Sequence, residues 1–433
     1  MNSTKLPWVT AAPSHWRRGR LKDMINSSAN GVWGDDPLGD GTDVFCVRAA
    51  DFDRTRQRVS KERLPHRSID DATLTRHMLR PGDLILEKSG GGEKQPVGLA
   101  VIFDLSEPAV CSNFCSRLTP AHTIDPRFLS YSFAAAYNQG LTQSAIKQTT
   151  GIQNLDTGAL FSSPWAYPGI EEQRQLADFL DAETSRIDQL INLQRQVVAG
   201  IEERDTAILD AELDLLLDEA GTLPFRRYVV GVEQGSSPQC EAVPATEEEW
   251  GVLRVSCLRP GQFFPGENKR LPADSIPDAR HEVQQGDLLI TRANTPQLVG
   301  ATAVVPSTRR KLLLSDKIFR VDILPTLDPH YVATIARGSR IRNLCSAVSN
   351  GASQSMANIR FEEVKEWPIP TINLDRQRDL VSRMGRAWEI TRDLRAKVQS
   401  QLSLLTERKR ALITATVTGQ IDVSSASGRG IEG

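Results

Sequence analysis

The stretch EEQRQLADFLDAE at 171–183 decides the architecture of this chain. It follows the proline-bounded segment SSPWAYPG and opens a long, charged, apolar-striped run in mid-chain. A related stretch, RQRDL at 376–380, answers EQRQL at 172–176 at an offset of 204. A helix that starts twice at a fixed interval marks an internal repeat, and repeats of this kind govern the fold.

Other segments keep the same interval. PGDLIL at 81–86 matches QGDLLI at 285–290, and VGLAVI at 97–102 matches VGATAV at 299–304. TTGIQNL at 149–155 matches SQSMANI at 353–359, and EERDTAIL at 202–209 matches TERKRALI at 406–413. The offset stays between 202 and 204, so one unit of about 205 residues is used twice. The first part of each unit carries short β-type runs such as VFCVRAA, DLILE, WGVLRVS and DLLIT, punctuated by Gly, Pro and Asp. Helix is expected around PRFLSYSFAAAYNQ and PHYVATIARGSRIRN. That pattern predicts a mixed α/β domain, and the second part of each unit predicts one long helix.

A 4-3 ladder runs along each helix. The first includes Leu176, Leu180, Glu183, Ile187, Leu190, Val197, Ile201, Arg204 and Ile208. The second includes Leu380, Met384, Ala387, Thr391, Leu394, Val398, Gln401, Leu405, Arg408 and Leu412. This heptad-type stripe is the signature of coiled-coil packing. Helices of ~35–40 residues would run ~55–60 Å. Residues 166–219 carry net charge −10 and residues 370–433 carry +4, which favours pairing of the two helices with each other. The expected fold is α/β: two similar mixed domains separated by two long helices forming an antiparallel coiled coil, with a pseudo-twofold internal repeat. On the simplest register Glu183 lies near Arg408. The predicted segments are a first domain at 1–165, a central helix region at 166–219, a second domain at 220–369, a C-terminal helix region at 370–423 and a disordered tail at 424–433.

Length, 433 residues, agrees with several domains. No run approaches the ~18 apolar residues of a membrane helix, and MNSTKLPWVT lacks a secretory pattern, so a cytoplasmic location is expected. Six cysteines make no disulfide framework, and Cys111 and Cys115 have no second pair or nearby histidine to complete a zinc set. No phosphate loop, GxGxxG, GxSxG or HExxH is present. GGGEK at 90–94 lacks phosphate-loop spacing, and DPLGDG at 36–41 lacks the aromatic of amino-methyltransferase motifs. Glu363-Val-Lys365 is a bare ExK without an upstream acid, a thin basis for a nuclease. No catalytic or metal residue is expected, and a binding role is favoured over an enzyme.

Each unit has an acid-free window. Pro126 to Leu155 holds Arg127 and Lys147; Pro329 to Phe361 holds Arg337, Arg340, Arg342 and Arg360. A surface that meets duplex DNA must exclude carboxylates and supply cations. Both windows end in side chains able to read base edges: Gln148, Thr149, Gln153 and Asn154 in the first, Gln354, Ser355 and Asn358 in the second. Ordinary turn and cap duty is the competing role for such residues. After each GDL strand comes a polar loop, with Lys88, Ser89 and Lys94 in the first and Arg292, Asn294, Thr295 and Gln297 in the second. The strands before these loops agree and the loops themselves differ, as two different reading heads would. Arg48–Arg58 and Lys61–Arg80 add positive charge for phosphates.

GIEEQRQLADFLDAETSRIDQLI at 169–191, its weaker copy NLDRQRDL and the ending ERKRALITATVTGQIDV at 407–423 resemble the DNA-specificity subunit of type I restriction-modification enzymes. The resemblance implies two target-recognition domains, each reading half of a split DNA site, with two long helices setting their separation. It implies two modification (methyltransferase) subunits and ATP-dependent restriction subunits as partners. S-adenosylmethionine, ATP and magnesium would then sit on those partners, with no cofactor on this chain. The alternative is a two-domain protein-binding adaptor with a coiled-coil spacer.

Overall fold

The computed structural model describes residue 9 and residues 11–92, 95–149, 152–348 and 357–423. The chain forms two compact units, residues 1–194 with 400–433, and residues 195–399. Each unit therefore takes in one α/β domain and a stretch of each long helix.

In the first unit, Arg17–Arg20 pairs antiparallel with Pro164–Tyr167, so the domain opens and closes on one strand pair. Its main sheet has the order Ile25–Asn30, Cys115–Pro120, Leu84–Glu87, Ala100–Ile102, Arg58–Val59, Phe52–Asp53. A smaller sheet sets Val44–Val47 between Ala109–Cys111, parallel, and His66–Arg67, antiparallel. The second unit repeats this plan. Thr222–Pro224 pairs with Pro368–Pro370, and the sheet order is Val229–Gln234, Ile318–Ile323, Leu288–Thr291, Thr302–Val304. Gly251–Leu253 lies parallel to Leu312–Leu313 and antiparallel to Asn268–Arg270.

The repeated GDL motif explains the central strand of each sheet. Gly82 and Gly286 both have φ of +94°, a left-handed value that favours glycine. The next residue closes the turn: Asp83 accepts from the Arg80 amide at 2.8 Å, and Asp287 from the Gln284 amide at 2.9 Å. The strands that follow are buried on both faces, which is why they read as unbroken apolar runs. Leu84 and Leu86 enter a core with Phe128, Leu129 and Phe133, while Ile85 joins Val101 and Phe103 on the other face. Leu288 and Ile290 pack with Tyr331 and Val332, and Leu289 with Val305 and Leu314. The helix over each sheet starts in the same way, with Asp125 or Asp328 as N-cap and proline at the first position.

The glutamine of the repeated QR pair fastens each domain to its helix. Gln173 Oε1 accepts from the Asp125 amide at 2.9 Å, and its Nε2 donates to the carbonyls of Thr123 (3.2 Å) and Pro168 (2.8 Å). Gln377 Oε1 accepts from the Asp328 amide at 2.8 Å, and its Nε2 donates to Thr326 (3.1 Å) and Ile372 (2.9 Å). Both side chains are buried, and both satisfy backbone groups at the turn before the cap.

The central helix is Ile170–Ala220 and the C-terminal helix Leu374–Val417, continuous through Gly385. Within each unit the two run antiparallel. Arg376 meets Glu219 at 2.6 Å, Arg383 meets Glu212 at 2.6 Å, and Arg395 with Thr391 meets Asp205 at 2.8 and 2.9 Å. In the first unit Lys409 meets Asp188 at 2.7 Å.

Leu176, Leu180, Ile187, Ile201, Leu380, Met384 and Val398 are buried, and Ile208, Leu405 and Leu412 are half-buried. Three apolar rungs of the predicted ladder need correction: Leu190, Val197 and Leu394 are exposed. The buried or half-buried residues are instead Thr184, Ile191, Val198 and Asp205 on the first helix, and Arg395, Leu402 and Lys409 on the second. Each lies one residue beyond the strict ladder. Those residues are themselves seven apart, so the heptad repeat is kept and its alternate rung is shifted by one residue. The same one-residue shift moves the expected Glu183–Arg408 pair: no ion pair joins them, and Lys409 takes Asp188 instead.

Candidate nucleic-acid interface

The two polar segments that the sequence singles out in each domain are strand partners. In the first domain Ser89–Gly90 pairs with Ile152–Leu155, putting Ser89 opposite Asn154 and Gly90 opposite Gln153. Ile146–Thr149 continues this small sheet as a hairpin. In the second domain Ala293–Asn294 pairs with Ala357–Asn358. Loops ~60 residues apart in sequence thus form one rim in each domain, at equivalent places.

Several rim residues are outward. Asn154 is exposed and accepts from Ser89 Oγ at 2.7 Å, and Lys88 Nζ donates to Asn30 Oδ1 at 2.8 Å. Thr295, Gln297 and Asn358 are exposed. Arg292 is half-buried, with a guanidinium N–H 3.3 Å from the Asp316 carbonyl. Asn294 is buried, its Oδ1 accepts from the Thr295 amide, and its Nδ2 has no partner among the described residues. Gln153 is also buried, its Oε1 accepting from the Val97 amide at 3.2 Å, so in this arrangement it supports the rim from behind. Lys94, Gln354 and Ser355 lie outside the described residues, as do the side chains of Gln148 and Thr149.

Three of the six cations in the acid-free windows, Arg127, Arg337 and Arg342, turn inward, and Lys147, Arg340 and Arg360 stay exposed. Arg127 bonds Asp178 at 2.7 Å and Asp181 at 2.8 Å on the central helix, and Tyr131 donates to Asp181 at 2.7 Å. Burial works against the Arg127 charge, but the two carboxylates outweigh it and raise its pKa. Arg337 stacks on Trp388, its guanidinium carbon 3.3 Å from the ring centroid, and burial pushes its pKa down to about 10. Arg342 donates to the carbonyls of Val299 (2.8 Å) and Gln297 (2.7 Å), bracing the second rim. Lys147 pairs with Asp156 at 2.7 Å, and Arg360 with Glu363 at 2.9 Å. Arg340 is exposed. Absence of acids within a sequence window says nothing about acids that the fold brings alongside. The same correction applies to the upstream basic run. Arg48 pairs with Asp51, Arg54 with Glu87, Arg58 with Asp104 and Lys61 with Glu107. On the central helix Glu172 is likewise occupied, accepting from Trp16 at 2.9 Å and lying 3.0 Å from His15.

Asn30 at the first rim escaped sequence reasoning, whereas Lys88 and the run Lys61–Arg80 that holds Arg76 were expected. Asn30 is the hub: besides Lys88 it holds His77, whose Nδ1 is 2.9 Å from its carbonyl. Arg76 and His77 form the last turn of the helix Asp71–His77. Among the described residues Arg76, Lys88 and Arg117 have no carboxylate partner within ion-pair distance. The signal was thin, a basic pair ending a short capped helix.

The remaining motifs are structural. Glu363 caps the helix Phe361–Val364 and Lys365 pairs with Glu362. Asp43 accepts from the amides of Leu38 and Gly39, closing the DPLGDG loop. Burial pushes the Cys46 thiol up to about 11 and that of Cys115 to about 12, out of the reactive range. Among the described residues no group of three or more His, Cys, Asp or Glu is arranged to hold a metal, and no helix is long and apolar enough to cross a membrane.

No protein-family model matches the chain. It is 29% identical over 174 residues to the type I restriction enzyme EcoEI specificity subunit of Escherichia coli, covering 40% of this chain and 29% of that protein. It is 20% identical over 360 residues to the EcoKI specificity subunit of Escherichia coli K12, covering 79% of this chain and 75% of that one. A solved chain from a study of complex assembly and conformational transition of the type I R-M system superposes with a TM-score of 0.61. That match has 14% identity and covers 95% of this chain and 99% of the other, so it supports the shared fold. With two similar α/β domains, two long antiparallel-paired helices and these sequence matches, the chain is similar to the specificity subunits of type I restriction enzymes.

Proposed function

We propose that this chain is the non-catalytic, DNA-reading specificity subunit of a type I restriction-modification complex. Each α/β domain reads one half of a bipartite duplex site through its rim. The observation that carries this reading is the equivalent placement of two polar strand pairs on matched scaffolds, with different residues on each. Shared scaffold gives both domains one approach to DNA, and unlike side chains give each its own sequence.

The helices receive the partners. Leu190, Leu193 and Leu404 in the first unit and Ile390 and Leu394 in the second are exposed on them. Apolar side chains at such positions suit two modification subunits, with restriction subunits joining the assembly. S-adenosylmethionine, ATP and magnesium are assigned to those partners, and the complex to the cytoplasm. The exposed leucines would equally serve a protein-binding adaptor, so DNA binding is the discriminating property.

Methylome sequencing of cells that express this chain with its modification subunits tests the proposal. The expected result is a methylated-adenine motif in two parts separated by a fixed gap. Loss of the motif on deleting this chain alone supports the role. Methylation that persists unchanged without the chain, or a continuous motif, overturns it.

A further inference from the structure

One turn differs between the domains in a way that the shared scaffold makes legible. CSNFCSR at 111–117 and LSDKIFR at 314–320 match at an offset of 203 in Ser112 and Ser315, and in Arg117 and Arg320. Both serines are buried, and the turns close alike. The Cys115 amide donates to the Ser112 carbonyl at 2.9 Å, and the Ile318 amide to the Ser315 carbonyl at 3.3 Å. The residue before each strand is fastened to its rim by two backbone bonds. Phe114 O accepts from the amides of Lys88 (3.0 Å) and Ser89 (3.2 Å), and Lys317 O from those of Arg292 (2.8 Å) and Ala293 (3.4 Å).

The backbones are equivalent and the side chains are opposites. Phe114 is 51% exposed and belongs to no apolar cluster. Its backbone neighbours Lys88 and Ser89 lead to Asn30 and Asn154, amide and cation groups suited to base edges and phosphates. Lys317 is half-buried and has no carboxylate partner within ion-pair distance among the described residues. A lone exposed phenylalanine is ordinary on a protein surface. One tethered beside Lys88, Ser89 and Asn154, at the position a lysine holds in the sister domain, is placed where a base would cover it. In a duplex the base faces are stacked, but the thymine methyl stands in the major groove, where an apolar side chain such as phenylalanine covers it.

Resting on the specificity-subunit reading, we propose that Phe114 is the apolar base contact of the first recognition domain and that Lys317, its positional counterpart, meets a backbone phosphate in the second.

The test uses the full chain assembled with its modification subunits and a duplex library randomised over both half-sites of the methylated motif. Phe114→Ala should weaken binding of the preferred duplex about tenfold. It should erase base preference at one or two adjacent positions of one half-site only. Phe114→Lys should lose the same preference while steepening the salt dependence by about one unit of log K against log salt. Lys317→Ala should weaken all sequences alike and reduce that slope by about one, with base preferences kept. Unchanged melting of Phe114→Ala separates recognition from folding, and Phe114→Lys supplies an independent readout should the alanine variant unfold. Preferences that survive in both half-sites, or erode equally in both, overturn the proposal while leaving the specificity reading intact. A wild-type complex that selects no bipartite sequence overturns both.

Discussion

Gly31 and Gly235 sit 204 residues apart at the end of the outer strand in each domain, and each meets a backbone carbonyl from the neighbouring turn. A Cβ on Gly31 would lie 2.1 Å from the Ser112 oxygen, and one on Gly235 would lie 1.9 Å from the Leu314 oxygen. A few residues away the likeness stops. The first domain carries Phe114, Ser89 and Gly90 where the second carries Lys317, Ala293 and Asn294. The first places a capped helix, Asp71–His77, ahead of its GDL strand, and the second a single 3-10 turn, Ala279–His281. Positions that fix the backbone are held in common, and the rim positions diverge, buried ones such as Asn294 included. The difference separates framework from specificity within one sequence, without an alignment.

The comparison can be broken by substitution, beginning with the largest effect. The helix pair carries a nearly buried ion pair in the first unit, Lys409 with Asp188, where Lys409 Nζ also donates to the Thr55 carbonyl at 2.8 Å. Lys409→Met leaves Asp188 without its cation and is expected to cost about 3 kcal/mol in denaturant unfolding. Hydrogen exchange should locate that loss in the first unit. Equal loosening of residues 195–399 would show that the units do not unfold independently.

Gly31→Ala and Gly235→Ala should each cost about 2–3 kcal/mol, because backbone cannot retreat from a Cβ as a side chain can. Melting curves that show a penalty in only one domain would end the claim of a shared framework. Gln173→Leu and Gln377→Leu remove three hydrogen bonds each and leave buried backbone groups unpaired, for about 2 kcal/mol apiece. Amide exchange at Asp125 and Asp328 is the local readout, and protection that persists in either variant would remove the clamp. The smallest expected change is also the most discriminating for the helices. Leu190→Gln should alter stability by less than about 0.5 kcal/mol, whereas Ile191→Gln should cost about 2 kcal/mol. The reverse order would restore the strict ladder.

Much of the scaffold was readable because it is written twice. GDL strands, capped helices and the helix starts recur at one interval, and each recurrence has a local cause in turn geometry, capping or burial on two faces. The ladder was readable in its alternation and misread in its phase, since leucine at 190 and isoleucine at 191 are equally apolar and only helix geometry separates them. The rims were found because polar loops followed matched strands, yet their pairing, Ser89 with Asn154 and Ala293 with Asn358, is a tertiary fact. Individual cations were least legible. Arg127, Arg337 and Arg342 meet a carboxylate pair, an indole and two carbonyls that lie 43 to 54 positions away along the chain. Charge counted along a sequence cannot register such partners.

Each domain enters and leaves through a single antiparallel ladder, Arg17 opposite Tyr167 in one and Thr222 opposite Pro370 in the other. A segment with adjoining ends behaves as an insert. It can be exchanged whole, at two cut points, without altering the length or phase of the helix that follows. Under the proposed function, new specificities would then be reachable by recombination of domains as well as by point mutation, so long as the glutamine clamp finds its turn.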